Sequence, residues 1–143
     1  MIVVLDTPLL IEGLLATDPL AARIADLVRG GRLRPALDDR MLRAYEAALA
    51  LPAVARYLLP VERERIVRFL RHGVRIVCTD RIEVPDPADA CFAETALAAE
   101  APLLTADFRR FPAERCGRTR VFSPIRFLEE YHHPGGLAPP RPA

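Results

Sequence analysis

The sequence predicts an α/β fold built on a mostly parallel sheet, and two observations carry that reading. The chain opens with Ile2-Val3-Val4-Leu5, an apolar run without alternation, which suits a strand buried on both faces, as strands of parallel sheets are. Short apolar segments then alternate with longer stretches of helical character, the order that right-handed crossovers between parallel strands produce. Five strands are expected.

Taken in order, Ile2 to Leu5 is the first strand, with Asp6 at its carboxyl end. Pro8 suits the first turn of a helix and Thr7 is able to cap it, so that Asp6 is not needed as the cap. Asp18-Pro19 reads as the cap and first turn of a second helix, ending at Gly30-Gly31. Leu33 to Leu37 is a weak strand, and Pro35 within it argues for a short or edge-like one. Asp38 and Asp39 cap a helix through Leu51; a short helical piece follows Pro52 to about Leu58, and a longer helix runs from about Val61 to His72, stopped by Gly73. Val74 to Cys78 is the third strand and Thr79 to Asp86 a polar loop. Asp86-Pro87 opens the most helix-like segment, Ala88 to Glu100, with Asp89 in its first turn. Pro102 to Thr105 is a strand, Asp107 begins a brief turn to Phe111, Thr119 to Phe122 is the last strand, and Ser123-Pro124 starts a closing helix to about Tyr131. The domain is thus expected over residues 1–131, with 132–143 a Pro/Gly-rich flexible tail.

At 143 residues, 51% apolar and 27% charged, the chain has the size and composition of one folded domain. The net charge of +1 provides no global field for nucleic acid. Every one of the 20 basic residues is Arg, and Lys, Asn, Gln and Trp are missing. This reads as genomic base-composition bias and lowers the weight of any single Arg. Cys78, Cys91 and Cys116 are odd in number and not in CxxC spacing, which suggests neither a disulfide framework nor a zinc site. With no leader-like or membrane-spanning stretch, a cytoplasmic location is expected.

Three acids share a position. Asp6 ends the first strand, Asp107 lies two residues beyond the Leu103-Leu104-Thr105 strand, and Asp89 sits in the first turn of a helix. In a parallel sheet all three fall on the rim where such folds bind ligands. Carboxylates converging there repel one another unless a cation neutralises them, and hard oxygen ligands suit Mg²⁺ or Mn²⁺. Such an ion activates water and stabilises the charge that grows on a phosphodiester under attack. Taken singly, each acid has an ordinary role: Asp89 favours the helix dipole, and Asp107 suits the cap of the turn after it.

The order of these motifs resembles the PIN-domain nucleases, in particular VapC-type toxins of bacterial toxin-antitoxin systems. "IVVLDTPLL" is similar to the family's hydrophobic strand followed by Asp-Thr-Asn. "DPADACFAETALAAEAPLLTAD" resembles its acidic helix start, running through a short loop into a strand that ends Thr-x-Asp, and "RTRVFSPIRFLEEY" its closing strand, Ser-Pro and helix. The resemblance implies a Rossmann-like three-layer α/β/α sandwich around a sheet of about five strands. It implies a Mg²⁺- or Mn²⁺-dependent ribonuclease with Asp6, Asp89 and Asp107 as catalytic metal ligands and Thr7 and Thr105 in support. The partners it implies are an RNA substrate, a small antitoxin whose tail blocks the cleft, and a second copy in a homodimer.

Two departures qualify it. Where the family places a Glu in the helix after the second strand, this chain has Ala44, with Glu46 two residues on and about 200° around the helix. Pro8 replaces the Asn after Asp-Thr. Activity then depends on Glu12 or Glu94 stepping in, and the alternative function is a PIN-like domain of impaired catalysis that binds RNA or protein. A haloacid-dehalogenase-type phosphohydrolase ranks lower because Pro8 occupies the place of its second acid, and a receiver domain because no Lys is present. Arg63, Arg65, Arg68, Arg71 and Arg75 read as a solvated, ion-paired helix face rather than an RNA-binding one. His132 and His133 read as incidental to the tail.

Overall fold

A computed structural model describes residues 1–132. Strand β1, Ile2–Leu5, is the middle of a five-stranded sheet in which every pairing is parallel. The others are β2 Arg34–Leu37, β3 Val74–Arg75, β4 Leu103–Leu104 and β5 Val121–Phe122, and the order is β3-β2-β1-β4-β5. Seven α-helices accompany the sheet among the described residues: α1 Thr7–Leu15, α2 Pro19–Arg29, α3 Asp39–Ala50, α4 Pro52–Ala55, α5 Pro60–Arg71, α6 Ala90–Ala99 and α7 Pro124–His132. The arrangement is the expected three-layer α/β/α sandwich. None of these helices is long and apolar enough to cross a membrane. Of the expected tail, His132 closes α7, and 133–143 lie outside the described residues.

The unalternating sequence of β1 has its reason in burial. Val3, Val4 and Leu5 are at most 2% exposed, as are Ala36 and Leu37 of β2 and Leu103 and Leu104 of β4. Each large side chain among them contributes roughly 1.5–3 kcal/mol when fully buried. Helices α2 and α3 start by the same device. Asp18 accepts the Ala21 N–H at 2.9 Å and Asp38 the Met41 N–H at 2.9 Å, so an aspartate just beyond a strand or loop caps the next helix. Gly13 lets α1 and α2 close on each other: a Cβ there would stand 2.7 Å from the Ala21 carbonyl oxygen.

Two expectations about strands are corrected. β2 is not an edge, since it pairs with both β1 and β3. The Arg34 N–H turns to the Met1 carbonyl of the β1 side, which leaves the N-position of Pro35 facing β3. The β3 ladder begins one residue later, at Ala36 opposite Val74, so the missing donor falls where no bond is due. The third strand ends at Arg75 instead of Cys78. Beyond Ile76 the chain leaves the sheet because side chains draw it elsewhere: the Cys78 thiol lies 3.4 Å from the Thr95 hydroxyl, and Glu94 accepts the Ile82 N–H at 3.0 Å.

Candidate functional site

From β1 the chain builds β2 and β3 on one side and returns to build β4 and β5 on the other. The switch point therefore lies between β1 and β4, where parallel sheets open a crevice beyond the strand ends. Asp6 is the first residue past β1 and Thr105 the first past β4. Both are buried, at 1% and 0% exposed.

Asp6 does two things at once. Contrary to expectation it is the N-cap of α1, its Oδ1 accepting the Leu9 N–H at 3.0 Å, and Thr7 is simply the first helical residue. The other oxygen, Oδ2, accepts from the Thr105 hydroxyl at 2.5 Å and from Arg110 Nη1 at 3.0 Å. Burial pushes the Asp6 carboxyl above the ordinary carboxylate range, against the opposing pull of Thr105, the Leu9 N–H and Arg110.

Asp89 reaches the same guanidinium from the start of α6. It ends a 3₁₀ turn, Pro87–Asp89, whose cap is Asp86, and its carboxylate makes no capping bond of its own. Arg110 grips it with two bonds, Nη2 to Oδ1 at 2.5 Å and Nε to Oδ2 at 2.9 Å. The hydrogen bond to Asp89 in turn holds the Arg110 guanidinium more firmly protonated than usual. Arg110 carries no mark in the sequence that distinguishes it from the other arginines. It is placed by its neighbour Phe111, 1% exposed, whose ring packs on Phe92 and has its centre 5.4 Å from the guanidinium carbon.

Asp107 stands apart from that contact. Its carboxylate caps the 3₁₀ turn Phe108–Arg110 through the Arg109 N–H and pairs with the Arg109 side chain at 3.1 Å, which holds it below the ordinary range. It joins the site through its backbone, because its N–H donates to Thr105 Oγ1 at 3.1 Å, the same hydroxyl that donates to Asp6. Of the three predicted acids the structure thus brings Asp6 and Asp89 onto one cation and leaves Asp107 beside it. Among the described residues no three His, Cys, Asp or Glu side chains stand as a group ready to hold a metal ion. In donor chemistry Asp6 and Asp89 fit such an ion, being two hard carboxylates aimed at one positive charge.

Of the acids around the Ala44 position, Glu46 and Glu94 are committed elsewhere, while Glu12 stands near enough to Asp6 to feel its charge. Glu46 pairs with Arg71 at 3.2 Å on the outer surface. Glu94, 3% exposed, accepts Arg40 Nη1 at 2.7 Å and the Ile82 N–H. Glu12 is partly buried, which raises its carboxyl, with the charges of Asp18 and Asp6 adding to the effect. Ala44 packs against the core, and its neighbour Tyr45, buried, donates to the Leu5 carbonyl. A cavity of about 190 Å³ lies apart from the acids under α1, α2 and α5, where Leu9, Ile24, Phe69 and Leu70 make it apolar. Of the α5 arginines, Arg71 is ion-paired with Glu46, and Arg75 just beyond the helix pairs with Asp39.

The sequence profile of the PIN domain family matches residues 2–109. Comparison with curated proteins finds no match. Among solved structures, the fold is shared by a chain in the crystal structure of VapBC2 from Rickettsia felis bound to a DNA fragment from their promoter. That chain superposes with a TM-score of 0.57 at 14% identity, over 86% of this chain and 98% of that one.

Proposed function

This chain belongs to the PIN domain family, and from that premise we propose that it is a metal-dependent endoribonuclease serving as the toxin of a toxin-antitoxin pair. The observation that carries the reading is the convergence of Asp6 and Asp89, from distant parts of the chain, on one positive charge at the switch point of a parallel sheet. Asp6 and Asp89 are the residues that would hold Mg²⁺ or Mn²⁺, with Asp107 next to them. When bound, such an ion supplies charge neutralisation to a phosphodiester under attack by water. The chain's own residues do the positioning. The Leu9 N–H fixes one oxygen of Asp6 and the Thr105 hydroxyl the other, so the carboxylate is oriented before any ligand arrives. Burial excludes water from Asp6 and sharpens every electrostatic interaction it makes.

Likeness to the Rickettsia felis VapBC2 structure supports a small antitoxin protein as partner. A homodimer is part of the same proposal. The test is incubation of the protein with labelled RNA and Mn²⁺ beside Asp6→Asn. Cleavage by the native chain alone is expected; cleavage by neither, with no Mn²⁺ uptake by calorimetry, overturns the reading.

A second reading has an observation of its own. Ala44 packs where the family carries an acid, and Glu46 and Glu94 are tied to Arg71 and Arg40. On that reading the domain binds RNA or protein without turnover, and RNA retention without cleavage in the same assay supports it.

A further inference from the structure

Arg110 hydrogen-bonds to both Asp6 and Asp89. Its guanidinium lies where the two carboxylates converge and bonds three of their four oxygens, and the Leu9 N–H takes the fourth. A guanidinium is planar, permanently charged and a donor only. It therefore neutralises two acids as a cation does, yet has no open coordination position at which a bound water could be activated.

We propose that Arg110 is a tethered cation that closes the Asp6–Asp89 pair, so that the guanidinium and a divalent ion exclude one another and loading of the site requires Arg110 to swing outward. The proposal rests on the reading of Asp6 and Asp89 as metal-holding residues. Three features of the chain make such an exchange workable. Arg110 ends a three-residue 3₁₀ turn rather than standing inside a long helix, so its side chain is free of neighbouring helical turns. A quarter of the side chain is exposed, which marks an open outward path. The anchoring of the turn is independent of the guanidinium: Phe111 is buried in the core and Asp107 caps the backbone, so both remain when Arg110 leaves.

The consequence is quantitative. A site competent for only a tenth of the time binds its ligand about tenfold more weakly than the same site held open. Titration of Mn²⁺ alone, followed by calorimetry, is the experiment, on the native chain, Arg110→Met and Arg110→Met with Asp89→Asn. The expected result is at least about tenfold tighter Mn²⁺ binding by Arg110→Met, with the gain abolished by the second substitution. Equal affinities for the native chain and Arg110→Met, with binding lost in the double variant, overturn the tethered cation and leave the metal reading standing. No Mn²⁺ uptake by a folded Arg110→Met overturns both. Should Arg110→Met fail to fold, Arg110→Lys keeps a point charge without the fork and is expected to bind Mn²⁺ more tightly than the native chain; native-like affinity overturns the proposal. A second readout follows the side chain itself. The Nε–H resonance of Arg110 in ¹⁵N-arginine protein, identified by its loss in the variant, is expected to shift to the position of exposed arginines on Mg²⁺ addition; Mg²⁺ binding that leaves it unmoved overturns the proposal.

Discussion

Two acid–arginine–acid clusters stand on the same rim of the sheet and differ in what else holds their carboxylates. At the end of β2, Arg40 joins Asp38 to Glu94 at 2.7 Å each. Past β1, Arg110 joins Asp6 to Asp89. In the first cluster both acids also serve the backbone, Asp38 by capping α3 at Met41 and Glu94 by holding the Ile82 N–H of the segment that covers the rim. In the second, Asp6 caps α1, but Asp89 makes no capping bond and is gripped by Arg110 through both oxygens. The first arrangement is a structural clamp. The second leaves one carboxylate whose side-chain bonds run to a replaceable cation, which is what a ligand site requires.

The sharpest way to break that comparison is to remove each arginine in turn. Arg40→Met leaves Asp38 without its counter-charge and Glu94 with only Arg81 at 3.6 Å, and is expected to cost about 3 kcal/mol in urea unfolding, with no recovery on adding Mn²⁺. Arg110→Met leaves Asp6 and Asp89 buried without theirs and is expected to cost as much, about 3 kcal/mol, but that loss is expected to be returned by Mn²⁺ through mass action. Recovery of both variants by Mn²⁺, or of neither, erases the distinction. Thr105→Val removes a donor from buried Asp6, expected at about 1–2 kcal/mol, and pushes the Asp6 carboxyl further up, which a carboxyl-carbon NMR titration reads directly. The smallest effect is on pH dependence. Because the Asp6 carboxyl is raised on folding, its contribution to stability is fully present below the ordinary carboxylate pKa and is lost as pH rises through the raised folded value. Asp107 has the opposite sign: its lowered carboxyl contributes above the ordinary value and loses that contribution as pH falls through the depressed one. Urea midpoints across the acid range should therefore show Asp6→Asn flattening a decline with rising pH, and Asp107→Asn flattening a rise.

The placement of the acids was legible because it obeys local rules. Ile2 to Leu5 suits a doubly buried strand, and the residue after such a strand in a parallel sheet lies on the ligand rim, which put Asp6 there. The double duty of Asp6 was not legible. Thr7 is also an accepted cap by residue type, and the second bond of Asp6 comes from the hydroxyl of Thr105, 99 positions away, which no local pattern announces. Arg110 was hidden for a related reason: in a chain whose basic residues are all Arg, one more in "DFRRF" has no distinguishing mark, and its role comes from Phe111 fixing the turn beside Asp89. Pro35 misled because proline reports the missing N–H but not which neighbour that N–H would have faced.

By itself the sequence determined much that depends on spacing along the chain: the alternation that makes a parallel α/β sheet, the aspartate caps that start α2 and α3, and the family to which those motifs belong. The tertiary structure alone decided which charges meet. Ion pairing is set by distances between atoms that the crossovers bring together from distant parts of the chain, and so Asp89 came to rest on Arg110, Glu94 on Arg40, and Asp107 on its own neighbour Arg109.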